Sequence, residues 1–393
     1  RLDRGGSAEN TLLTVSQADM DRYEGSLVTG PTQGERSSTE ALARARGVHM
    51  ADVPHLVRNV SPLADLRAVW ELWRLMRQGR FHIVHTHTSK AGLLGRLAAR
   101  LAGVPIVIHT PHGHVFYGYF GPVVTRLFVW LERWAAGFSQ RVISLTEKGA
   151  QDHVDFAIAA REKFAVIHSG INFPTFDPDG PSPQAVRAEL GIPAEGMVFG
   201  TLGRLTAIKG QEDLIEAFAV VRERVDNAWL LLVGDGEERE ALIAQAARLG
   251  VMDRMVLAGW RQDVYAVLAA MDIFALPSLN EGMGKALVEA MYARLPCVAT
   301  RVGGVAELLA DDVGLLVDAS SPRELGAALS QLAGDAERRQ QMGEAAAPHR
   351  LGIRFGDRAA IPRRQCRPDR SRSVRHPRAD VVRKPLAIAC QCE

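Results

Sequence analysis

The segment NEGMGKALVE, residues 280–289, places Glu281 and Glu289 on either side of two glycines and a lysine. It follows an apolar run typical of a strand, so we expect a helix to begin at about Glu281. Eight residues of helix cover about 12 Å, and two acids at that separation could hold hydroxyl groups at both ends of a nucleotide sugar. Gly282 and Gly284 would leave the first helix amides open to a phosphate.

The residues around Glu289 are nearly all apolar, so Glu289 is not expected on an exposed helix face, where most glutamates lie. A carboxylate among apolar side chains needs a partner that offsets its desolvation. We therefore expect Glu289 to have a polar or charged partner. The neighbours in question are Ala286, Leu287, Val288, Ala290 and Met291.

A second charged segment, GRLTAIKG (203–210), follows the apolar run MVFGTL directly. Arg204 and Lys209 place two cations on this short loop. They suit a diphosphate, because Arg binds two oxygens at once and Lys acts as a point charge; two solvated surface cations are the alternative. The common nucleotide motifs fail, since GDGEER has Arg239 where the dinucleotide fingerprint needs a glycine, and no Walker lysine loop occurs.

Histidines cluster in the first half of the chain, in HTHTSKAG (85–92) and HTPHGH (109–114). A His-x-His pair after a strand is compatible with a zinc hydrolase whose ligands lie on successive strands. That interpretation needs further ligands late in the chain, yet no histidine occurs between His168 and His349. We therefore predict neither a metal site nor a cofactor.

The elements that must position these residues are short β-branched runs alternating with amphipathic helices. This alternation predicts an α/β fold with parallel sheets covered by helices on both faces. Ligands of such sheets bind at the carboxyl ends of the strands. The predicted strands are 26–30, 81–86, 105–110, 141–146, 164–169, 197–203, 229–236, 255–259, 272–277, 296–300 and 314–318, and 61–78 is one of the helices between them.

One break divides this series. Residues 173–196 hold five prolines and open with little periodicity, which is typical of a linker. We predict two doubly wound, Rossmann-like domains facing a cleft, residues 1–172 and 197–352, followed by a basic tail, 353–393.

Charge and cysteine content exclude several classes of protein. Residues 350–393 carry twelve Arg or Lys against four Asp or Glu, so the rest of this +2 chain has a net charge of about −6. Because the basic balance belongs to the tail, we expect no nucleic-acid partner. Four cysteines without paired spacing in the body favour a reducing, cytoplasmic setting, and no apolar run is as long as a membrane span.

Taken in order, the motifs resemble the family-4 retaining glycosyltransferases, which have the two-domain GT-B fold. PSLNEGMGKALVEAMYARLPCVATRVGGVAELL resembles their donor-site signature, and GRLTAIKG, LLLVGDG and LAGWRQDV follow the family's order. The resemblance runs from Gly5 to about Gly352. It implies a metal-independent enzyme that moves a sugar from a UDP- or GDP-sugar to a glycan or lipid-linked acceptor. HTHTSKAG with HTPHGH resembles members that act in cell-surface polysaccharide biosynthesis.

The resemblance also assigns roles to positions. His112, in a T-x-H turn, and Glu281 would face the transferred sugar as catalytic residues, while the cations would bind the donor diphosphate and Glu289 the ribose. One departure is Arg294, where the family usually has a small residue. The implied donor-binding residues are Gly5, Gly6, Arg204, Lys209, Gly282, Met283, Gly284 and Glu289, and further candidates are His85, His114, Trp260, Arg261, Gly303 and Gly304.

Two alternatives to a transferase stay open: a nucleotide-sugar epimerase on the same fold, and a non-catalytic sugar-nucleotide-binding protein or inactive fragment.

The segment 116–138 has two possible roles, because it holds eight aromatic residues. Such a stripe usually belongs to a core. Tyr and Trp beside Arg126 and Arg133 also suit a bilayer interface, which would mean peripheral contact with the cytoplasmic face of the inner membrane.

The ends of the chain depart from the family pattern. Only four residues precede Gly5, so the first strand, normally a central one, is absent from the start of the sequence. Residues 353–393 show no amphipathic helix, where the family closes with a helix that crosses back to the first domain. We expect an upstream truncation and a shifted reading frame after about Ala347, and hence a poorly stable N-terminal domain and a disordered tail.

Overall fold

The computed structural model describes residues 2, 6–19, 21–31, 39–113, 116, 121–170, 181–309, 312–346 and 384–389. Two parallel sheets with helices packed against them build two domains. The predicted α/β fold with two Rossmann-like domains is therefore confirmed. The exact domain boundaries stay predictions, because most of the first half of the linker and most of the tail lie outside the described residues.

The N-terminal domain follows the predicted alternation of strands and helices, with one strand, His49–Asp52, that the sequence pattern missed because it is short and only partly buried. Its elements are α1 (Gly6–Ser16), β1 (Tyr23–Thr29), α2 (Thr39–Ala45), β2 (His49–Asp52), α3 (Pro62–Gly79), β3 (Ile83–His87), α4 (Ser89–Ala102), β4 (Ile106–Thr110), α5 (Pro122–Ala136), β5 (Arg141–Ser144), α6 (Glu147–Asp155) and β6 (Phe164–Val166).

The C-terminal domain contains all six strands that the apolar runs predicted there. Its elements are α7 (Pro183–Glu189), β7 (Met197–Leu202), α8 (Gln211–Arg222), β8 (Ala228–Val233), α9 (Arg239–Arg248), β9 (Met255–Gly259), α10 (Val264–Ala269), β10 (Ile273–Leu276), α11 (Lys285–Tyr292), β11 (Cys297–Thr300), α12 (Val305–Leu308), β12 (Gly314–Val317), α13 (Pro322–Gly334) and α14 (Ala336–Ala345), and a last strand, β13 (Lys384–Ala389), returns to the N-terminal sheet.

Continuous apolar runs explain why the C-terminal strands form a parallel sheet. The order is β12-β11-β10-β7-β8-β9, and every residue of β10 and β11 is buried. Strands buried on both faces carry apolar side chains on both faces, so helices must cover the sheet twice. Phe199 of β7 and Phe218 of α8 show this packing, with ring centroids 6.3 Å apart.

The N-terminal sheet has the order β2-β1-β13-β3-β4-β5-β6. Strand β13 pairs in parallel with β1 on one side and with β3 on the other. It occupies a central position in the sheet, where it bonds to the amide and carbonyl groups of β1 and β3. The expectation of a tail without secondary structure is therefore wrong for Lys384–Ala389; residues 353–383 and 390–393 lie outside the described residues.

The central position of β13 generates a stability prediction. Proline at Ala387 removes an amide from a strand bonded on both sides, and we expect it to lower the free energy of unfolding by about 1–3 kcal/mol, because a carbonyl group of the neighbouring strand loses its hydrogen bond. Urea unfolding followed by circular dichroism measures this. Ala387→Val retains the amide and should stay within about 1 kcal/mol of the parent chain; equal stability of the proline variant would contradict the pairing.

Candidate active site

Loops at the carboxyl ends of both sheets meet between the domains. From the C-terminal domain come residues 277–284 after β10 and 301–304 after β11; from the N-terminal domain come 111–113 after β4 and 145–146 after β5. Together they line one narrow pocket. This is the edge where doubly wound sheets bind ligands, so the pocket is the candidate active site.

Glycines allow this close approach. A Cβ atom on Gly282 would overlap the carbonyl oxygen of His112, and a Cβ on Gly304 would overlap the side chain of Thr146. A Cβ on Gly303, whose φ is 47°, would overlap the carbonyl oxygen of Glu281. Three of the predicted glycines therefore lie in contact with predicted catalytic residues or with the loops that carry them.

Lys209 and Glu281 lie together, although the resemblance gives them separate roles. The Lys209 Nζ is 2.6 Å from Glu281 Oε1, and Ser278 Oγ donates to the same oxygen at 2.8 Å. The Lys209 side chain comes from the loop after β7, which confirms that two strand ends of one sheet converge at this point. The cation and the acid therefore neutralise each other.

The expected helix start at Glu281 is wrong. Helix α11 begins at Lys285, and Gly284 before it has a left-handed backbone with φ 79°. Glu281 therefore lies on the preceding loop, and the two glutamates do not share a continuous helix. The immediate reason is the backbone of Gly284, because a residue with positive φ cannot belong to a right-handed helix.

Glu289 has the partner that its apolar surroundings required. Lys285, one turn earlier on α11, places its Nζ 3.2 Å from Glu289 Oε1 and also contacts the carboxylate of Glu9 on α1. Burial raises the pKa of Glu289 above its ordinary value, while Lys285 opposes that shift. The pKa of Lys285 itself is raised by both carboxylates, although burial opposes this. These three residues form an ionic bridge between the domains.

The histidines form an uncharged group, in which His85, His87 and His109 are buried and His112 is partly buried. The Nε2 of His85 is 2.8 Å from Thr110 Oγ1, and the Nδ1 of His87 is 2.7 Å from His112 Nε2. Burial lowers the pKa of His85 to about 3 and that of His112 to about 4. Among the described residues, no group of three or more His, Cys, Asp or Glu side chains has the arrangement of a metal site.

The other predicted residues take no part in the contacts described so far. Gly6 begins α1 beside the Lys285 side chain, and Met283 is buried with its Sδ 3.3 Å from the amide of Ser169. Arg204 is partly buried on the same loop as Lys209. Gly5 and His114 lie outside the described residues.

The guanidinium group of Arg261 is paired with two carboxylates. Its guanidinium donates to Asp263 and to Glu189 of α7, and these hydrogen bonds raise its pKa. Its neighbour Trp260 is exposed. That the backbone near Trp260 and Arg261 contacts a nucleotide base remains a prediction.

Three residues at this site were not among those predicted from the sequence. Lys285 was signalled by its i, i+4 spacing from Glu289, but nothing in the sequence linked it to Glu9, 276 positions away. The third is Glu307, whose carboxylate accepts hydrogen bonds from the amides of Glu147 and Lys148 at the start of α6. It gives a second polar contact between the domains.

Arg294 occupies a backbone position that favours glycine. Its φ is 58°, at the end of α11, where the amide of Leu295 donates to the carbonyl of Ala290. Helices commonly end with such a left-handed residue, usually glycine. This explains why the resembled family usually has a small residue at the position of Arg294. An arginine there puts strain on the backbone.

Comparison with known families agrees with this geometry. Residues 183–349 match the group described as "Glycosyl transferases group 1", and residues 5–170 match "Glycosyl transferase 4-like domain". Each match covers one of the two domains. The chain belongs to this glycosyltransferase family. The resemblance read from the motifs is thereby confirmed.

Curated relatives of this glycosyltransferase include an Escherichia coli UDP-Gal:alpha-D-GlcNAc-diphosphoundecaprenol alpha-1,3-galactosyltransferase. It is 35% identical over 255 residues, which are 64% of this chain and 66% of that protein. A D-inositol 3-phosphate glycosyltransferase from Segniliparus rotundus is 32% identical over 69% of this chain and 62% of its own length. The chain thus spans about two thirds of the length of these two relatives.

Solved structures share the fold. Anabaena HepE in complex with UDP and glucose superposes with a TM-score of 0.74 at 24% identity, covering 89% of this chain and 93% of that one. WaaG, a glycosyltransferase involved in lipopolysaccharide biosynthesis, gives a TM-score of 0.69 at 20% identity, over 88% and 92% of the two chains.

The ionic bridge between the domains generates a pH-dependence prediction. Lys285→Met leaves Glu289 buried beside Glu9 without a cation, so the pKa of Glu289 should rise further in the folded state. A carboxyl whose folded pKa is raised destabilises the fold as pH increases above its ordinary value of 4.5. We expect the variant to lose up to about 3 kcal/mol at pH 7 and much less near pH 4. Urea unfolding across this pH range measures the difference.

Lys285→Arg is the matched control, because it retains the charge. It should follow the parent profile. A constant deficit of Lys285→Met at every pH would indicate lost packing instead of an uncompensated carboxylate.

Proposed function

We propose that this glycosyltransferase moves a hexose from a UDP- or GDP-sugar to a glycan or lipid-linked acceptor, with retention of anomeric configuration. The observation that carries the proposal is the pocket lined both by Glu281 of the C-terminal domain and by His112 of the N-terminal domain. An acid and an imidazole in one pocket can both hydrogen-bond to a bound sugar.

The donor diphosphate would bind where the structure gathers cations and amides. Lys209 and Arg204 share the loop after β7, and the turn from Gly282 to Gly284 leads into the amino end of α11. A phosphate arriving there competes with Glu281 for Lys209. Preorganised donors of this kind stabilise a leaving diphosphate, and removal of one typically costs a factor of about 10²–10³ in rate. No metal ion is needed in this proposal.

The ribose would bind to Glu289. Burial raises the pKa of Glu289, and Lys285 opposes this shift and so favours the charged form that accepts hydrogen bonds. Diol groups are good partners for a charged acceptor, since such hydrogen bonds are about twice as strong as neutral ones. Glu289 would therefore act in donor affinity more than in the chemical step.

Relatives support the donor and acceptor classes. The E. coli relative is named for a UDP-galactose donor and a diphosphoundecaprenol-linked acceptor, and the HepE structure contains UDP and glucose. We extend both to this chain as a UDP-sugar donor and a polyprenol-diphosphate acceptor. The role would be cell-surface polysaccharide biosynthesis at the cytoplasmic side of the membrane.

The decisive experiment supplies UDP- and GDP-hexoses with a short-chain GlcNAc-diphosphate-lipid acceptor. We expect transfer from one donor class, an α-linked product from an α-linked donor by NMR, and unchanged turnover after exhaustive chelation. Epimerised donor without acceptor modification would favour the epimerase, and nucleotide binding without turnover would favour a binding protein. Loss of activity together with stoichiometric zinc would favour a hydrolase.

Variants of the donor cations test the site assignment. We expect Lys209→Ala and Arg204→Ala to lower turnover at least about 100-fold, because the leaving diphosphate loses a fixed cation, and Glu289→Ala mainly to raise the donor KM. Arg222→Ala removes a cation of the same domain that pairs with Asp253, and should leave turnover unchanged. Steady-state kinetics measure all four.

Lys209→Ala also removes the cation that pairs with Glu281. The double variant Lys209→Ala/Glu281→Gln separates the two effects. If turnover recovers in the double variant, the unpaired acid caused the loss, and Lys209 is not a diphosphate ligand.

One face of the N-terminal domain is unusually apolar. Helix α4 packs against both α3 and α5, and all three helices expose large apolar side chains, which we call together the α3–α5 face. Within segment 116–138, a core role is therefore wrong for the outer stripe of α5. The exposed apolar residues of this face are Leu63, Leu66, Trp70, Leu101, Val123, Val124, Leu127, Trp130 and Trp134.

Charge on the α3–α5 face has a single sign. Acids of the three helices are partly or largely buried in ion pairs, such as Glu132 with the fully buried Arg96. In contrast, every exposed charged side chain on these helices is an arginine. These are Arg67, Arg74, Arg77, Arg100, Arg126 and Arg133.

We propose that the α3–α5 face docks on an anionic bilayer, where aromatic rings suit the interface and arginines suit lipid phosphates. In the described part of the chain, no helix has the length and apolarity needed to cross a membrane. Docking would bring the cleft to a lipid-linked acceptor.

Vesicle flotation tests the docking. With each arginine worth about 1 kcal/mol near an anionic surface, Arg100→Ser/Arg126→Ser should weaken binding to phosphatidylglycerol vesicles about 30-fold, and Leu127→Gln/Trp130→Gln should also weaken it. The control Leu249→Gln/Met252→Gln changes exposed apolar residues of the other domain. Equal binding of the face variants and the control, or no preference for anionic over neutral vesicles, would contradict the proposal.

A further inference from the structure

His87 lies directly behind His112. It is the last residue of β3 and is fully buried, whereas His112 lines the pocket between the domains. Their nearest nitrogens, Nδ1 of His87 and Nε2 of His112, are 2.7 Å apart, while the ring centroids are 5.0 Å apart with planes 28° from parallel. The rings therefore meet edge to edge, in the geometry of a nitrogen-to-nitrogen hydrogen bond.

Such a bond contains one proton, and its position fixes both rings. A neutral imidazole carries a single N–H, and the other nitrogen accepts. If His87 donates from Nδ1, then Nε2 of His112 is the acceptor and the proton of His112 is on Nδ1. If His112 donates from Nε2, then His87 must carry its own proton on Nε2.

Burial distinguishes these two arrangements. The Nε2 of His87 is inaccessible to solvent and has no hydrogen-bond partner among the described residues. A proton on that atom would be an unpaired buried donor, and orphaned buried N–H groups are the rarest kind of unsatisfied group. The arrangement in which His87 donates from Nδ1 avoids it.

We propose that His87 is a positioning residue that donates its Nδ1 proton to His112 and so keeps the proton of His112 on Nδ1. Within the described residues, no group bonds to Nδ1 of His112, which leaves this N–H for an oxygen of a sugar bound in the pocket that His112 and Glu281 both line. The inference rests on the proposed function only in this last step, because the proton arrangement belongs to the free protein.

The surroundings hold both rings in place. His85 packs against His87 with ring centroids 4.1 Å apart and is itself bonded to Thr110. His112 has a left-handed backbone with φ 62°, a conformation that persists only when its surroundings enforce it. Burial keeps the pKa of His87 well below its usual value, with His85, His112 and His109 adding to the shift, so both rings are neutral at pH 7.

The proton position is measured directly by NMR on ¹⁵N-histidine-labelled full-length protein without substrate. The His112 signals are those missing from His112→Asn. We expect a protonated, pyrrole-like Nδ1 and an unprotonated, pyridine-like Nε2 in the parent chain, and a mixture of both tautomers in His87→Leu. A protonated Nε2 in the parent chain, or an unchanged His112 spectrum in His87→Leu, would overturn the proposal.

Kinetics test the consequence for transfer. We expect His87→Leu to lower kcat about tenfold or more with little change in the donor KM, and His87→Asn, whose amide can donate from nearly the position of Nδ1, to restore most of it. Equal losses in both variants would mean that the imidazole matters for packing alone. The control His55→Leu removes a histidine that pairs with Glu71 elsewhere in the domain, and should leave kcat unchanged.

The two proposals fail in different ways. Absence of transfer by the parent chain with every donor would refute the proposed function, while the NMR result would still decide the proton position. Transfer by the parent chain with a protonated Nε2 on His112 would refute the role of His87 alone.

Discussion

The contact between Gly282 and the backbone of His112 is the constraint on which the site depends. It brings a loop of the C-terminal sheet against a loop of the N-terminal sheet at a separation that leaves no room for a Cβ atom. Because Glu281 precedes Gly282, the same contact places the acid and the imidazole in one pocket. Gly304 repeats the arrangement against Thr146, so two glycine contacts set how closely the domains approach.

Charge pairing completes what the glycines allow. Lys209 with Glu281, and Lys285 with Glu9 and Glu289, are largely buried, and a buried charge without a partner is costly. Lys209 and Lys285 are therefore already paired with acids. An anionic ligand that bound to either lysine would have to compete with these acids, and at Lys285 with a contact between the domains.

The buried histidines behave differently from these ion pairs. Their pKa values lie below the usual range because burial disfavours the charged form, so they contribute hydrogen-bond geometry and not charge. The α3–α5 face of the same domain combines exposed apolar side chains with exposed arginines. One domain thus carries a neutral inner wall and a basic, apolar outer face.

The sequence by itself determined the fold class, the order of the strands along the chain and the two charged loops, because apolar periodicity and glycine spacing are local properties. It also determined that Glu289 needs a partner. The i, i+4 spacing signalled Lys285 as that partner, but only the tertiary structure added Glu9, which is 276 positions from Lys285, and only it placed β13 between β1 and β3. The tertiary structure also shows that α11 begins at Lys285 and not at Glu281. Gly282 lies against His112 and Gly284 has a left-handed backbone, so the residues before Lys285 form a turn and not a helix. Contacts between distant segments follow from packing and charge compensation, which no local pattern encodes.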